Sequence, residues 1–153
     1  MIEFTQPTEE LIRIIAYDMR VQDVEEVWAS HHHMPIESLM GGWEVSDYST
    51  VVLADGEPIC MFGLVKMDLL SGSGVVWLLG CNRALKYKRA FLQVSGPVVD
   101  EMLTICPRLC NMVHAKNTIS IRWLKWLGFT IEESVPHGPD GELFHKFFIE
   151  RCD

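Results

Sequence analysis

Three consecutive histidines, His31, His32 and His33, are the side chains of this sequence that first suggest chemistry. An imidazole titrates near neutral pH and is a common metal ligand, so such a run can indicate a metal site or a general base. At 3.6 residues per turn, however, consecutive helical side chains point about 100° apart and cannot converge on one ion. We therefore predict no metal site and favour a triplet at a helix end or loop with ordinary partners. A role as a base or substrate contact is the alternative.

A second candidate is a cluster of positive charge between residues 83 and 89, which holds four of the thirteen Lys and Arg residues. The whole chain has a net charge of −8 and a pI near 5.2, which argues against general nucleic-acid binding because that requires a surplus of cations. Two interpretations of the cluster stay open. Lys86, Lys88 and Arg89 either bind an anion locally or form a solvated basic patch at the start of a helix.

The five cysteines are a third group of candidates. Cys81, at the end of a predicted central strand, would act as a nucleophile only beside a base, and no His and Asp spacing indicates one. The cysteines contain no C-x-x-C pair, and their number is odd. We therefore predict free, mostly buried thiols in a reducing compartment.

The composition indicates one ordinary globular domain, which we assign to residues 1–153. Hydrophobic residues make up 48% of the chain and charged residues 22%, which excludes the disordered class. No apolar run reaches the roughly 18 residues of a membrane span. The first residues also lack the basic and then apolar pattern of a secretion signal. We therefore expect a protein that is intracellular when it is synthesised.

Residues 117 to 129 predict a complete helix with its own start and stop. Asn117 can cap the first turn, because its side-chain oxygen accepts hydrogen bonds from free backbone N–H groups. The apolar residues that share the buried face of this helix are Ile121, Leu124 and Leu127. Gly128 suits the left-handed residue that ends a helix, and Phe129 then begins a strand.

Periodicity and turn residues predict the other elements. Residues 18–30 have apolar side chains at helical spacing, with Asp23, Glu25 and Glu26 on the solvent side. Gly96-Pro97 must kink or split a long helix over 86–105. The remaining predictions are a strand at 11–17, a short helix at 34–40 ended by Gly41-Gly42, a hairpin at 49–65 with its turn at Asp55-Gly56, strands at 75–80 and 109–115, and a final hairpin over 129–150. The predicted order is β-α-α-β-β-β-α-β-α-β-β.

That order, with a capped helix near its end, resembles the GCN5-related N-acetyltransferase fold over nearly the whole chain. The family motif of the last helix has an Asn, then a small residue, then Gly-Phe. Asn117, Ser120, Gly128 and Phe129 stand at the matching offsets. The resemblance implies an α/β (α+β) fold in which a mixed, mostly antiparallel central sheet is flanked by helices.

A narrower resemblance is to the short internal virion (core) proteins of podovirus-type tailed phages, which are themselves acetyltransferase-like. It rests on a Lys-x-x-Arg-x-Phe motif from residue 86, an Asn-Thr-x-x-x-Arg-x-Leu-Lys motif from residue 117, and a glycine-bearing hairpin after them. This resemblance implies other virion proteins or a host protein as partners. It also implies the host cytoplasm at synthesis, and then the virion interior, as the location.

The acetyltransferase resemblance implies that acetyl-coenzyme A lies where the fourth and fifth strands splay apart. Its pyrophosphate would contact backbone N–H groups at the start of the following helix. The residues that the resemblance assigns to the coenzyme are Leu78, Leu79, Gly80, Lys86, Lys88, Arg89, Asn117 and Ser120. The residues that it places near the acceptor or the acyl group are His33, Glu37 and His114.

Two departures from the family pattern concern the chemistry itself. The glycine-rich phosphate loop of the family corresponds to residues 81–90, which contain no glycine. The family's proton-donating tyrosine falls at Leu124, and a leucine has no proton to donate. We therefore favour a structural or interaction protein with a degenerate acetyl-CoA site. The alternative is an active enzyme that acetylates a small-molecule or protein amine.

Overall fold

The computed structural model describes residues 1–68 and 70–152, which form a seven-stranded sheet flanked by helices. The strands are β1 (Ile2–Thr5), β2 (Tyr48–Ala54), β3 (Glu57–Lys66), β4 (Ser73–Gly80), β5 (Arg108–His114), β6 (Thr130–His137) and β7 (Glu142–Glu150). Their order in the sheet is β1-β2-β3-β4-β5-β7-β6, and only β4 and β5 pair in parallel. The predicted fold class is confirmed. Leu69 and Asp153, which belong to the predicted domain, lie outside the described residues.

Helices cover both faces of the sheet. They are α1 (Glu9–Tyr17), α2 (Val21–His31), α3 (Pro35–Val45), α4 (Lys88–Ile105) and α5 (Thr118–Leu127), and a 3₁₀ turn at Asn82–Tyr87 precedes α4. Ile15 of α1 and Leu79 of β4 belong to a core that includes buried residues of α2 and α3. Leu78, the neighbour of Leu79, points to the other face and belongs to a group with Phe91 of α4. The first three helices and the last two therefore lie on opposite faces.

The predicted strand at residues 11–17 is wrong, because these residues form most of helix α1. Thr8 caps this helix, and its side chain accepts a hydrogen bond from the Leu11 backbone N–H at 3.2 Å. Ile12 and Ile15, three residues apart, are fully buried on the sheet, and that is a helical spacing. The first strand is β1 instead, so the described residues form one more α-helix than predicted.

The predicted glycine stop at residues 41–42 is also wrong, because α3 continues to Val45. Gly42 is required within the helix because the Trp77 ring packs against it. A Cβ atom at Gly42 would lie 2.8 Å from the Trp77 ring, and a Cβ atom at Gly63 would lie 2.5 Å from it. The indole of Trp77 therefore lies against both α3 and β3, at positions where only glycine leaves room.

Helix α4 is continuous through Pro97, so the long helix is not split there. A proline removes the hydrogen bond to the carbonyl four residues earlier, which is that of Gln93. Gln93 and Pro97 are both exposed residues, so this loss falls on the solvent side of the helix. The predicted start of this helix at residue 86 falls within the 3₁₀ turn, and α4 itself begins at Lys88.

Both predicted hairpins and the capped last helix are confirmed. Asp55 and Gly56 have positive φ angles of 50° and 82° in the first hairpin turn. The Asn117 side chain accepts a hydrogen bond from the Ser120 N–H at 3.4 Å, and Gly128 ends α5 with φ 103°. Within the described ranges, each helix is too short or too polar to cross a membrane.

Candidate active site between the central strands

Strands β4 and β5 run side by side for only three residue pairs and then separate. The pairs are Ser73–Arg108, Gly74–Leu109 and Val75–Cys110. Where the strands part, the Asn111 side-chain amide donates a hydrogen bond to the Val76 carbonyl at 2.7 Å. Beyond this point lies an opening that we call the gap. Its wide end lies between Gly80 and His114, the last residues of the two strands.

The backbone of β4 faces β3 and the gap alternately. The Cys81 N–H donates to the Ile59 carbonyl on the β3 side, whereas Gly80 uses its N–H and carbonyl on the gap side. Leu78, two residues before Gly80, therefore turns its backbone groups to the gap as well. Leu79 turns its backbone toward β3, and its side chain is buried beneath the first three helices. Two of the three predicted coenzyme contacts in β4 thus present their backbone to the gap.

Side chains from α2 and from the residue before it cross the wide end of the gap. Asp23 accepts a hydrogen bond from the Gly80 N–H at 2.9 Å, and the Arg20 N–H donates to the Gly80 carbonyl at 2.9 Å. The Arg20 guanidinium lies 3.9 Å from the Asp23 carboxylate and donates to Asn117 Oδ1 at 3.3 Å. Because Asn117 caps α5, these contacts join the end of β4 to the start of α5.

Glu26 makes a second connection across the same end. Its carboxylate accepts hydrogen bonds from the His114 backbone N–H at 2.8 Å and from Asn117 Nδ2 at 3.4 Å. The His114 ring is buried, and its Nε2 lies 2.8 Å from Glu142 Oε1 on β7. We call Arg20, Asp23, Glu26, His114 and Asn117 the polar bridge. Each of these side chains has at least one polar partner.

Burial perturbs both acids of the polar bridge. Desolvation raises the pKa of Glu26 to about 7, although the hydrogen bond from the His114 N–H lowers it in part. Burial likewise raises the pKa of Asp23, against the lowering effects of Arg20 and the Gly80 N–H. A carboxyl group with a pKa near 7 takes up and releases a proton at neutral pH. Glu26 therefore has the proton affinity that a general base requires.

Aromatic side chains lie on the opposite face of the gap. The rings of Phe91 on α4 and Trp123 on α5 meet with their centroids 5.4 Å apart. They border a cavity of about 100 Å³ between α4 and the sheet, which we call the apolar crevice. Its lining includes Phe4, Phe62, Leu78, Val94, Met102 and Leu127. Leu124, at the position of the family's tyrosine, belongs to the same lining and is only 6% exposed.

Outside the gap, the start of α4 and the exposed side of α5 form a basic groove of about 490 Å³. It is lined by Lys88, Arg89, Leu92, Gln93 and Trp126. The 3₁₀ turn replaces the glycine loop of the family. Within this turn, the Arg83 guanidinium lies 3.4 Å from Asp18 Oδ2, and Lys86 is exposed. Positive charge is therefore present at the predicted phosphate position, but it is carried by side chains.

The other predicted residues lie at helix ends. Glu37 caps α3, where its carboxylate accepts a hydrogen bond from the Met34 N–H at 2.9 Å. The His33 ring stacks on that of His31 with centroids 5.3 Å apart, and both side chains are exposed. Ser120 uses its backbone N–H in the Asn117 cap. Their contacts with a substrate or coenzyme stay predictions.

Sequence reasoning misses Arg20, Asp23 and Glu26. The prediction that Asp23 and Glu26 face solvent is wrong, because Asp23 is 3% exposed and Glu26 is partly buried. A signal is nevertheless present in the sequence. Asp23 lies four residues before the buried Val27, so the two share the apolar face of α2. An acid on such a face indicates a buried partner.

Comparisons with known proteins bear on the fold. No protein-family model matches this sequence, and no curated protein matches it. The spermidine N-acetyltransferase of Vibrio cholerae, solved with CoA and spermine, matches with a TM-score of 0.73 at 13% identity, over 98% of this chain and 95% of that one. A GNAT-family acetyltransferase from Bacillus anthracis matches with a TM-score of 0.72 at 9% identity, over 97% and 94%. An aminoglycoside acetyltransferase solved with coenzyme A matches with a TM-score of 0.69 at 17% identity, over 99% and 95%.

These identities are low, so the matches bear on architecture alone. They cover nearly the whole chain, with its seven-stranded sheet and its single parallel pair. The splayed strands and the capped last helix are the features on which the sequence resemblance depends. The chain therefore has the GCN5-related N-acetyltransferase fold.

Proposed function

We propose that this chain is an acetyltransferase-fold protein whose acetyl-CoA site is degenerate and which acts by binding another protein. The observation that carries the proposal is that side-chain contacts lie on both faces of the gap. The polar bridge crosses the wide end on one face, and Phe91 meets Trp123 on the other. The pantetheine arm of a coenzyme would have to displace both sets of contacts.

The residues around the gap fit acetyl-CoA poorly. The apolar crevice holds about 100 Å³, whereas ligand pockets usually hold roughly 300–1,000 Å³. Opening the wide end would remove hydrogen bonds from the buried Asp23 and Asn117, at about 1–3 kcal/mol for each group left unpaired. Leu124 offers no proton to a leaving thiolate. The basic groove suits an anion, but it lies outside the gap.

The surface at the start of α4 supports a binding role. Trp126 is 61% exposed and lies beside Leu92 in the lining of the basic groove, and exposed apolar surface often marks an interaction site. Lys88 and Arg89 line the same groove as Trp126. Aromatic residues and arginine are enriched where proteins bind each other. On a chain with a net charge of −8, this local positive charge favours an acidic partner surface.

The narrower part of the proposal concerns the partner. We infer that it is another virion protein of a podovirus-type phage, or a host protein, and that the chain passes from the host cytoplasm into the virion. The support is the sequence resemblance. Its motif from residue 86 contains Lys88 and Arg89, which line the basic groove, and its motif from residue 117 ends one residue before Trp126. Mass spectrometry of purified particles tests it. Absence of the chain from particles and from complexes with virion proteins would contradict it.

Calorimetry and thermal unfolding with acetyl-CoA test the degenerate site. We expect no heat of binding and no thermal shift at about 1 mM ligand. A working site with a Kd of about 10 μM would instead raise the free energy of unfolding by about 2.7 kcal/mol at that concentration. An active spermidine N-acetyltransferase is the positive control. Saturable binding in the micromolar range would overturn the proposal.

One observation favours the alternative, an active N-acetyltransferase that acts on an amine. Glu26 lies at the gap with a pKa near 7, as a base that deprotonates an ammonium group at neutral pH would need. The assay is acetylation of polyamines and lysine peptides by the wild type and by Glu26→Gln. A product that this substitution reduces by about 10²-fold would support the alternative. If the wild type forms no acetylated product, the alternative of an active enzyme is wrong.

A further inference from the structure

We propose that copies of this chain associate head to tail, with the outer face of α4 and α5 in one copy against the outer face of α1, α2 and α3 in the next. These two helical layers lie on opposite faces of the sheet, so one molecule presents both surfaces. The inference goes beyond the proposed function, because it names a second copy as a partner and does not depend on whether acetyl-CoA binds.

The charges of the chain are segregated along its sequence. Residues 69–99 and 102–131 contain no Asp or Glu, although the chain has 21 of them. The same two stretches contain eight of the thirteen Lys and Arg residues. They include the whole of α5, and all of α4 except Asp100 and Glu101 near its end. The α4 and α5 layer therefore carries positive charge on a chain whose net charge is −8.

Six cations on or beside α4 and α5 are exposed and have no ion-pair partner among the described residues. Four arginines elsewhere in the chain do have such partners. Ile119 and Trp126 are also exposed on α5, so the surface includes apolar side chains. We call the six cations the basic face, which includes two residues of the basic groove: Lys86, Lys88, Arg89, Lys116, Arg122 and Lys125.

The first three helices carry the opposite charge. Arg13 is the exposed cation of these helices, and it already pairs with Glu9 at 2.7 Å. Tyr17 and Trp28 add exposed aromatic surface. The exposed acids, which we call the acidic face, are Glu9, Glu10, Glu25, Glu37 and Glu44. The two faces are thus complementary in charge, and each also offers aromatic surface, which is enriched where proteins bind each other.

A second copy fits the basic face better than a nucleic acid does. All 21 acids lie outside the two acid-free stretches, so a long polyanion that crosses the basic face also meets negative surface. At about 0.1 M salt the Debye length is about 10 Å, so facing charges attract each other while more distant like charges are screened. The acidic face of another copy needs only this short reach, and it is present at the same concentration as the basic face.

The size and symmetry of the contact define what to expect in solution. Two different surfaces that meet form a heterologous contact, which builds chains or rings of copies. Helix α4 has 18 residues and is about 27 Å long. Two helices of this scale, each about 10 Å wide, bury roughly 500 Å² on each copy, which is below the roughly 800 Å² of a standard interface. We therefore expect a weak association that depends on salt.

Sedimentation equilibrium of the purified full chain tests the proposal. At about 0.1 M salt, the average mass should rise above 17.5 kDa as the protein concentration increases. At about 1 M salt, where the Debye length is about 3 Å, the mass should return to that of the monomer. The sample contains neither coenzyme nor phage proteins, so the result is separate from the tests of the proposed function.

Paired charge reversals identify the two faces. The double substitution Lys88→Glu and Arg122→Glu makes the basic face negative, and Glu10→Lys with Glu25→Lys makes the acidic face positive. Each variant alone should associate about tenfold or more weakly than the wild type, because like charges then face each other. An equal mixture of the two variants should associate again, since each reversed face meets its complement in the other variant.

Lys66→Glu with Lys146→Glu is the matched control. It changes the net charge as much as the reversal of the basic face does, but at exposed residues outside α4 and α5, and it should keep the wild-type association. A wild type that stays monomeric up to about 1 mM, or a mixture that fails to associate, would overturn the proposal. Binding of a single-stranded oligonucleotide or an acidic peptide by such a monomer would assign the basic face to that other partner.

Discussion

The two faces of the gap are held together by different kinds of contact. On the α2 face, the polar bridge buries Asp23 and Asn117, and both have hydrogen-bond partners. On the α4 face, the apolar crevice contains unfilled volume, and the buried Trp123 N–H has no hydrogen-bond partner among the described residues. Directional hydrogen bonds therefore hold the side chains of the α2 face in place, whereas the side chains of the α4 face are held mainly by hydrophobic contacts.

This difference indicates which face tolerates change. Removing one partner of a buried hydrogen bond leaves the other unsatisfied and carries its full desolvation penalty. Enlarging an apolar side chain beside a cavity changes only contacts and volume. We therefore expect substitutions in the polar bridge to be destabilising and those that fill the crevice to be neutral or stabilising.

The largest effect is expected from Asn117→Ala. The substitution removes the acceptor for Arg20 and for the Ser120 N–H, and it removes a donor to Glu26. Loss of the helix cap and of buried partners should lower the free energy of unfolding by about 3 kcal/mol. Urea denaturation measures the change, and the exposed Thr118→Ala is the control. If Asn117→Ala lowers the free energy of unfolding as little as Thr118→Ala does, the polar bridge contributes no stability.

The pH dependence of stability tests the role of Glu26 in the polar bridge on the α2 face. Its pKa is raised from 4.5 to about 7, so the folded protein holds this proton more tightly than the unfolded chain. The resulting stability is fully present below pH 4.5 and is lost as the pH rises through 7. We expect the wild type to lose on the order of 2 kcal/mol relative to Glu26→Gln between about pH 5 and 8. The exposed Glu25→Gln should keep the wild-type slope, and an equal slope in Glu26→Gln would contradict the assignment.

On the apolar face, Val94→Leu should stabilise the protein. One added methylene group that enters empty volume should raise the free energy of unfolding by about 0.5–1 kcal/mol. Val45→Leu, at a side chain that is 63% exposed, is the control and should change little. Denaturant titration of both variants gives the comparison. A loss of stability in Val94→Leu would show that the crevice is already filled.

The smallest effect on stability is expected from Trp126→Ala. This side chain is 61% exposed, so we expect a change within about 0.5 kcal/mol in thermal or denaturant unfolding. If the basic groove binds a partner, the same substitution should weaken the complex by about tenfold or more, because exposed tryptophans often dominate interfaces. Unfolding caused by Trp126→Ala would instead make this residue part of the core.

Local signals explain why much of the fold is predictable from sequence. The Asn117 cap, the Gly128 stop and the Asp55-Gly56 turn each depend on residues a few positions apart. The segment 11–17 is harder, because its nearly continuous apolar run suits a strand or a buried helix equally. Thr8 favours the helix over the strand, because its side chain caps the first turn of α1.

The candidate site is less predictable, because its contacts join distant parts of the sequence. Asp23 and Gly80 are 57 residues apart, and Glu26 and His114 are 88 apart. Periodicity can place Asp23 on an apolar face of α2, but it cannot name the backbone N–H that satisfies it. The family resemblance predicts the location of the gap. The contacts on its two faces depend on how side chains pack in space, which the spacing of residues in the sequence does not reveal.

Strand β7, the last strand of the sequence, lies inside the sheet between β5 and β6. It pairs with β5 from Arg108 to His114, which is the full length of that strand. While the chain leaves the ribosome, this side of β5 stays an open edge until residues 142–150 have emerged. Open strand edges attract other chains, and contacts between distant segments form slowly. The centre of the sheet can therefore mature only late in translation, and until then the nascent chain is exposed to aggregation and to chaperones.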